Sequence, residues 1–550
     1  MSTPPLDPRR LRAILIAVCV ALMAVIASVS GLNVAQQEIA LAFDASQGTV
    51  LWIINSYTIT LAALLLPLGA VGDRWGRRPV LLAGLIVFGL AGVAAGLATS
   101  SPVMIAARLL SGVGAAMIMP VTLAVITSTF PGEQRSRAIG VWTGVAAGGG
   151  LLGMYLSALL VDVASWRWLF VLPVALVLVA TVLTLRSVPN SREESPHRFD
   201  LGGSLTSVVA AVGLTFALHE GPDRGWTSAP ALGALIAGLL GAAGFVAWEL
   251  HRRAPLLDVR LFGERGLAGG SVSLLTVFGV QAGIFVVLFP YFQAVLGWSG
   301  LRSTLAMLPM ALLMMAASGV APRLAARAGA RATMAAGIAL GGVGLALMAV
   351  LVSVDGGYLS VLPGMVAMGF GMGLSMTPST EAITSALPRE RQGVASALND
   401  VTRELGTALG VALLGAIVSA GYRDAIGSRL GAVPPEVADS AREGIATALA
   451  AADGSPALVR AAQEAFVEGW QHAMWAGVAV MGLLLAFVVA RGPGKLVAPG
   501  DISGSDAARG YHWEDERTGR RGRGVVEEAG GNRGAGHEGE GGAAEVRVGG

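Results

Sequence analysis

The chain has 550 residues, of which 54% are apolar and only 13% charged, and its net charge is +2. Soluble proteins usually carry about 25% charged residues, and a soluble chain of this length would form three or four domains that each need a polar coat. A soluble enzyme, a fibrous protein and a fully disordered chain are excluded, the near-neutral balance offers no basic face for nucleic acid, and the mean hydropathy of +0.67 places the chain in a bilayer.

A helix needs about 20 mostly apolar residues to cross a hydrocarbon core of about 30 Å. The pattern predicts fourteen spans, at 13–32, 51–71, 80–98, 103–127, 138–161, 169–185, 201–218, 229–248, 268–290, 303–321, 333–352, 359–379, 395–419 and 471–490. The first apolar run is too long for the core of a cleaved signal. With the N-terminus (Arg9, Arg10, Arg12) in the cytoplasm, that side collects twenty arginines, against three (Arg167, Arg224, Arg302) in the short loops opposite. This is a strong positive-inside bias, and an even number of spans returns the C-terminus to the cytoplasm. The only long external loop, 421–469, has Ala-rich stretches at 436–452 and 456–468 that read as short amphipathic helices capping the outer face. Residues 491–550 hold 17 glycines and mixed charge without apolar periodicity, and read as a solvated, disordered tail.

A single cysteine, Cys19, excludes an intrachain disulfide framework. Lys495 is the only lysine among many arginines, which with the abundant Ala and Gly suggests high-GC, bacterial coding. No G-x-x-x-x-G-K-[ST] loop is present; Gly494-Lys495-Leu496 lacks the hydroxyl residue. No nucleophile elbow and no haem or zinc spacing occurs, so neither an enzyme nor a cofactor or metal is expected. Glycine clusters (Gly144, Gly148, Gly149, Gly150 and Gly153 in span five; Gly364, Gly369, Gly371 and Gly373 in span twelve) let helix backbones approach closely. They also weaken the helices, which suits a protein that moves: a secondary transporter or a passive facilitator. Charges at membrane depth are costly and point to function. Arg108 lies inside span four, and Asp400, Arg403 and Glu404 share one helical face early in span thirteen.

Residues 69–78 read Gly69-Ala-Val-Gly72-Asp73-Arg74-Trp-Gly76-Arg77-Arg78, between spans two and three. The stretch resembles the signature loop of the major facilitator superfamily. Arg108-Leu-Leu-Ser-Gly112-Val-Gly114 resembles that family's span-four motif. Asn33-Val-Ala35, Trp52, Tyr57, Ser165-Trp166-Arg167-Trp168, Phe199-Asp200-Leu-Gly202, Tyr291-Phe-Gln293 and Arg403-Glu-Leu-Gly406 are similar to its fourteen-span drug:proton antiporter branch, the multidrug efflux type. The likeness runs over about residues 10–490. Two positions depart from the branch: Ser28 stands where many members carry an acid, and Met154 where a proline is usual.

The resemblance implies an all-α membrane protein with the major facilitator fold: an N-terminal six-helix half (13–185), a linker with two inserted central helices (186–265) and a C-terminal half (266–490), behind a cytoplasmic N-terminus at 1–12. It implies a gating latch of Gly69, Gly72, Asp73, Arg74, Gly76, Arg77 and Arg78, and a coupling role for Arg108. Asp400, Glu404 and Glu38 are the candidate proton carriers, with Arg403 in their polar network. A pliable cavity wall is expected from Asn33, Trp52, Tyr57, Trp142, Phe285, Tyr291 and Met376. The expected function is proton-coupled export of drug-like or toxic hydrophobic compounds by a monomer in a bacterial inner membrane. Alternatives are a dedicated exporter of one metabolite, antibiotic or lipid, an uncoupled facilitator, and a non-transporting receptor or scaffold.

Overall fold

The computed structural model describes residues 7–192, 199–252, 255–431, 433–453 and 455–493. The expected tail, apart from residues 491–493, and part of the linker at 186–200 lie outside them. The described residues form seventeen α-helices and no strand. In chain order they are α1 (Pro8–Val34), α2 (Gln36–Phe43), α3 (Gln47–Trp75), α4 (Arg77–Gly96), α5 (Ser101–Thr129), α6 (Gly132–Val163), α7 (Val171–Ser187), α8 (Leu201–Arg224) and α9 (Ala229–His251). There follow α10 (Arg265–Pro290), α11 (Gly300–Ala328), α12 (Ala330–Leu351), α13 (Gly357–Ser385), α14 (Gln392–Gly427), α15 (Pro435–Glu443), α16 (Ile445–Ala451) and α17 (Pro456–Arg491). Fourteen are long and apolar enough to cross a membrane; α2, α15 and α16 are the short ones.

Local chemistry marks the helix ends. Ser46, Asp200 and Ser299 cap α3, α8 and α11 by accepting backbone N–H bonds. Gly76 (φ +105°) and Gly329 (φ +91°) break α3 from α4 and α11 from α12 with one residue each, a conformation that side chains avoid. Lipid tails are as apolar as leucine, so close packing rather than escape from water holds such helices together. Glycines accordingly sit at the crossings: a Cβ on Gly410 would fall 1.8 Å from the Gly279 carbonyl oxygen, and one on Gly213 would fall 2.4 Å from the Gly238 nitrogen.

The apolar core has unequal parts. One cluster unites α10–α17 around buried methionines, among them Met310, Met314, Met334, Met348, Met368, Met372 and Met376. A second unites α1 with α3–α7 and continues into Leu267, Leu274, Ile383, Val394 and Leu398, at the ends of α10, α13 and α14 nearest the latch loop. At the opposite end a third cluster, including Leu32, Ile39, Met104, Trp166 and Phe170, stays within α1–α7. Apart from Ala147 of α6, which joins the first cluster, the two groups of helices share a core at one end only. The α8–α9 pair docks through α8, which packs on both α3 and α14, while α9 packs chiefly on α8.

The sequence reading and the structure differ at the long loop. Residues 435–451 form α15 and α16, which pack Ala438, Ala441, Ile445 and Ala448 into the α10–α17 core. Residues 456–468, expected as a separate short helix, are instead the opening turns of α17. Polar residues there continue the helix beyond the apolar stretch, which a hydropathy window does not register.

Candidate functional site

The loop at 69–78, the expected latch, is a junction between distant parts of the chain. Asp73, 3% exposed at the end of α3, uses Oδ1 to accept from the Gly393 N–H at 2.8 Å and Oδ2 from the Val394 N–H at 3.1 Å. These are free donors of the first turn of α14, where helix geometry leaves N–H groups unpaired and favours an anion. Arg77 completes the knot. Its guanidinium donates to Asp73 Oδ1 at 2.7 and 3.1 Å, to the Arg389 and Glu390 carbonyls at 3.0 and 3.3 Å, and to Ser191 Oγ at 3.2 Å. Gly69 is needed because α14 passes so close: a Cβ there would lie 2.6 Å from the Gly393 carbonyl oxygen, and one on Gly393 would lie 2.3 Å from that of Gly69. Gly72 faces Val121, Gly76 turns the chain beside Asn190, and Arg78 donates to the Leu185 carbonyl at 2.7 Å. Arg74 is half-buried.

A second crossing lies at the same end. Arg135 donates to the Thr384 carbonyl at 3.2 Å, and Ser136 donates to the Glu381 carboxylate, so α6 is tied to α13. Farther along, Gly140 passes close to α11: its Cβ would lie 2.7 Å from the Ser318 carbonyl oxygen.

Behind the latch, ionisable groups form a line between the two helix groups. Arg108, 1% exposed, donates to Ser28 Oγ at 3.2 Å and lies over the Tyr57 ring at 4.3 Å. Ser28 thus partners the arginine at the position where the branch often has an acid. Glu404 on α14 lies within electrostatic reach of Tyr57 and of Asp400. Asp400 is fully buried and is approached by Arg403 at 3.5 Å and by the Asn399 amide at 3.3 Å. Arg403 in turn lies over Phe278 at 4.5 Å and Trp142 at 5.6 Å, within cation–π range. Several polar atoms on this line have no hydrogen-bond partner in the protein: Tyr57 Oη, Arg108 Nε, Asn399 Oδ1, Asp400 Oδ2 and Arg403 Nε. Each such buried group costs about 1–3 kcal/mol, a cost that static packing alone does not explain.

The remaining expected residues disperse. Trp142 is buried, and its indole donates to Thr122 at 3.1 Å beside Arg403. Trp52 turns away from the line and meets Phe216 of α8, ring centres 5.7 Å apart. Glu38 sits on α2, where its carboxylate accepts the Trp166 N–H at 3.1 Å. Tyr291 is buried against Trp470 and donates to the Ser353 carbonyl at 3.0 Å, at the end opposite the latch. Phe285 packs against the methionine-rich core, within which Met376 is fully buried. The side chain of Asn33 lies outside the described residues. Sequence reasoning missed Phe278, which packs against both major cores and under Arg403, and Gln281, whose amide nitrogen lies 3.7 Å from Met314 Sδ while its oxygen is unpartnered. The one signal for Gln281 was an uncharged polar residue in the middle of an apolar span.

Outside the spans, the Arg460 guanidinium donates to both Asp355 oxygens at 2.6 Å and holds that carboxyl below the usual carboxylate range.

Comparison with known proteins agrees with this architecture. The Major Facilitator Superfamily profile matches residues 16–411. The multidrug resistance protein Stp of Mycobacterium tuberculosis is 33% identical over 70% of this chain and 72% of its own length. The methyl viologen resistance protein SmvA of Salmonella typhimurium is 32% identical over 83% and 93%. The tetracenomycin C resistance and export protein of Streptomyces glaucescens is 31% identical over 77% of each. Among solved structures, the proton:xylose symporter XylE superposes with a TM-score of 0.58 at 14% identity, covering 89% of this chain and 97% of that one, which shows a shared fold. A fourteen-helix bundle, an Asp73 carboxylate bonded to the first turn of α14 and a match over most of the chain lead to one conclusion: the protein belongs to the Major Facilitator Superfamily of membrane transporters, among relatives of the multidrug-efflux kind.

Proposed function

We propose that the protein exports drug-like or toxic hydrophobic compounds in exchange for protons, by alternating access. The observation that carries this reading is the pairing of one sealed end with a buried ionisable line. The Asp73–Arg77–α14 knot and the shared apolar core close the latch end, and Arg108, Tyr57, Glu404, Asp400 and Arg403 lie behind it with unmet hydrogen bonds. A carboxylate held between one arginine and one amide can accept a proton without losing a dense set of bonds. Protonation of Asp400 frees Arg403, which rests on Phe278 at the join of the two helix groups. Proton arrival and helix movement are then linked through one residue.

Positive-inside charge supports a cytoplasmic latch end, both termini inside and residence in a bacterial inner membrane. In this reading the chain acts as a monomer, with α1–α7 and α10–α17 rocking about the site between them and α8–α9 as an insert. Relatives named for resistance to several compounds support polyspecific export. Relatives named for one antibiotic, such as the tetracenomycin C protein, support the second reading, a dedicated exporter.

Proton flux tests the proposal. The protein is reconstituted in vesicles with an acidic interior, and a pH-sensitive dye is followed as compounds are added singly. Proton release provoked by several unrelated compounds supports polyspecific antiport, and release by one alone supports the dedicated exporter. Movement of labelled compound down its gradient without proton flux overturns coupling.

A further inference from the structure

A small cavity lies between α3 and α8, away from the ionisable line. One face of α3 (Leu51, Trp52, Asn55 and Ile59, with Gly48 at the mouth) meets one face of α8 (Phe216, His219, Glu220 and Arg224). The spacings of three and four residues put each set on a single helix surface. The cavity measures about 90 Å³, room for about three waters at ~30 Å³ each. That is well below the ~300 Å³ at which drug-sized pockets begin, so it suits a head group rather than a whole compound.

We propose that this cavity binds the substituted ammonium head of an amphiphile whose apolar body lies in the surrounding lipid. Trp52, 39% exposed, and Phe216 stand 5.7 Å apart at 51°, so their ring faces can take a cation. The counter-charge is Glu220, whose side chain is 14% exposed against 57% for Arg224. Arg224 Nε comes within 2.9 Å of Glu220 Oε2, yet that oxygen is buried and has no hydrogen bond. The pair lacks hydrogen-bond geometry, and Arg224, its exposed partner in the last turn of α8, has solvent to swing into. Arg224 therefore marks the place that a ligand cation takes when it displaces the guanidinium. Asn55 offers a further amide oxygen. Because α3 also carries Tyr57 and Asp73, an occupant here bears on the helix that holds both the ionisable line and the latch. The binding claim stands apart from transport direction and proton coupling.

The test is a local thiol-protection assay on the full chain in phosphatidylglycerol nanodiscs, with no gradient imposed. Gly48→Cys, in a Cys19→Ser background, places the only thiol at the mouth; a Cβ at Gly48 meets only Ser46 Oγ at 3.9 Å, so the site has room. Dodecyltrimethylammonium is the probe and dodecanol its uncharged control. The amine, and not the alcohol, is expected to slow maleimide labelling at least tenfold at saturation. Glu220→Gln should raise the half-protecting concentration about tenfold, and Trp52→Ala should also raise it, with Trp52→Phe restoring protection. Arg224→Gln should lower it, because the internal competitor is gone. An ion pair of purely structural role would make the Glu220 and Arg224 variants shift the same way, and that result overturns the proposal. So does unchanged labelling at saturating amine, or equal protection by dodecanol. Replacing one third of the lipid with phosphatidylethanolamine or phosphatidylcholine, against replacement with an uncharged glycolipid that leaves the same surface charge, identifies the source: a higher half-protecting concentration than with the glycolipid shows that lipid head groups take the site, and an equal one shows that it selects free amines. Proton flux measured separately on the same variants keeps failure here distinct from failure of the export reading.

Discussion

The two ends of the molecule are tied in different ways. At the latch end the bonds cross between helix groups: Asp73 to α14, Arg77 to the Arg389 and Glu390 carbonyls, and Arg135 and Ser136 to α13. At the other end the bonds described stay within a group. Glu38 holds Trp166, Arg167 holds the Ala98 carbonyl, Tyr291 holds that of Ser353, and Arg460 holds Asp355. In the proposed export cycle, the crossing bonds are the ones a conformational change has to break. In lipid the groups gain little by hiding apolar surface from each other, so directional polar bonds contribute much of what joins them. These far-end bonds tie elements within each group.

Asp73→Asn should break this contrast most severely. It leaves Arg77 buried without its counter-charge, and losing one partner of a buried pair costs about 3–5 kcal/mol. Vesicle transport should fall at least tenfold while the protein still elutes as one folded species; undiminished transport removes the latch role. Arg108→Ala comes next. Substrate movement should lose its dependence on an imposed proton gradient, and unchanged gradient dependence refutes the coupling role.

Asp400→Asn and Glu404→Gln sharpen the site behind the latch. At least one should flatten the pH profile of transport, and if both retain it, α14 is not the proton site. Gly140→Ala tests the second crossing, since its Cβ would fall 2.7 Å from the Ser318 carbonyl oxygen. Transport should slow severalfold, whereas Gly482→Ala, with nothing within 4 Å, should match the parent.

Asp355→Asn should have the smallest effect. The Asp355 carboxyl is held below its ordinary range by Arg460, so its contribution is present above about pH 3.9 and fades as pH falls through the lowered value. Thermal melts of the variant and parent should differ slightly at pH 7 and converge in acid. Transport should not change, because both partners belong to the α10–α17 group.

Much of the fold was legible because crossing a bilayer leaves a local mark. All fourteen expected spans became helices, although α3, α13, α14 and α17 run well past their apolar stretches. The site was legible in part. Asp73 stood out through its motif, and Arg108 and Asp400 stood out as charges at depth. Trp52 and Tyr57 read alike in sequence, yet five residues along one helix they face different neighbours: Phe216 for one, Arg108 for the other. Phe278 was invisible, being one aromatic among many in an apolar span.

The sequence by itself determined how many times the chain can cross a membrane, where its charged turns fall and which loop could serve as a latch. Those properties belong to windows of about 20 residues and to the cost of placing charge in lipid. Only the tertiary structure decided that Asp73 caps α14 320 residues away, that Ser28 partners Arg108, and that Trp52 belongs to a cavity with α8. Such pairings depend on which helix faces meet and at what depth, and in lipid that is set by backbone fit at glycine crossings and by buried polar bonds rather than by hydropathy.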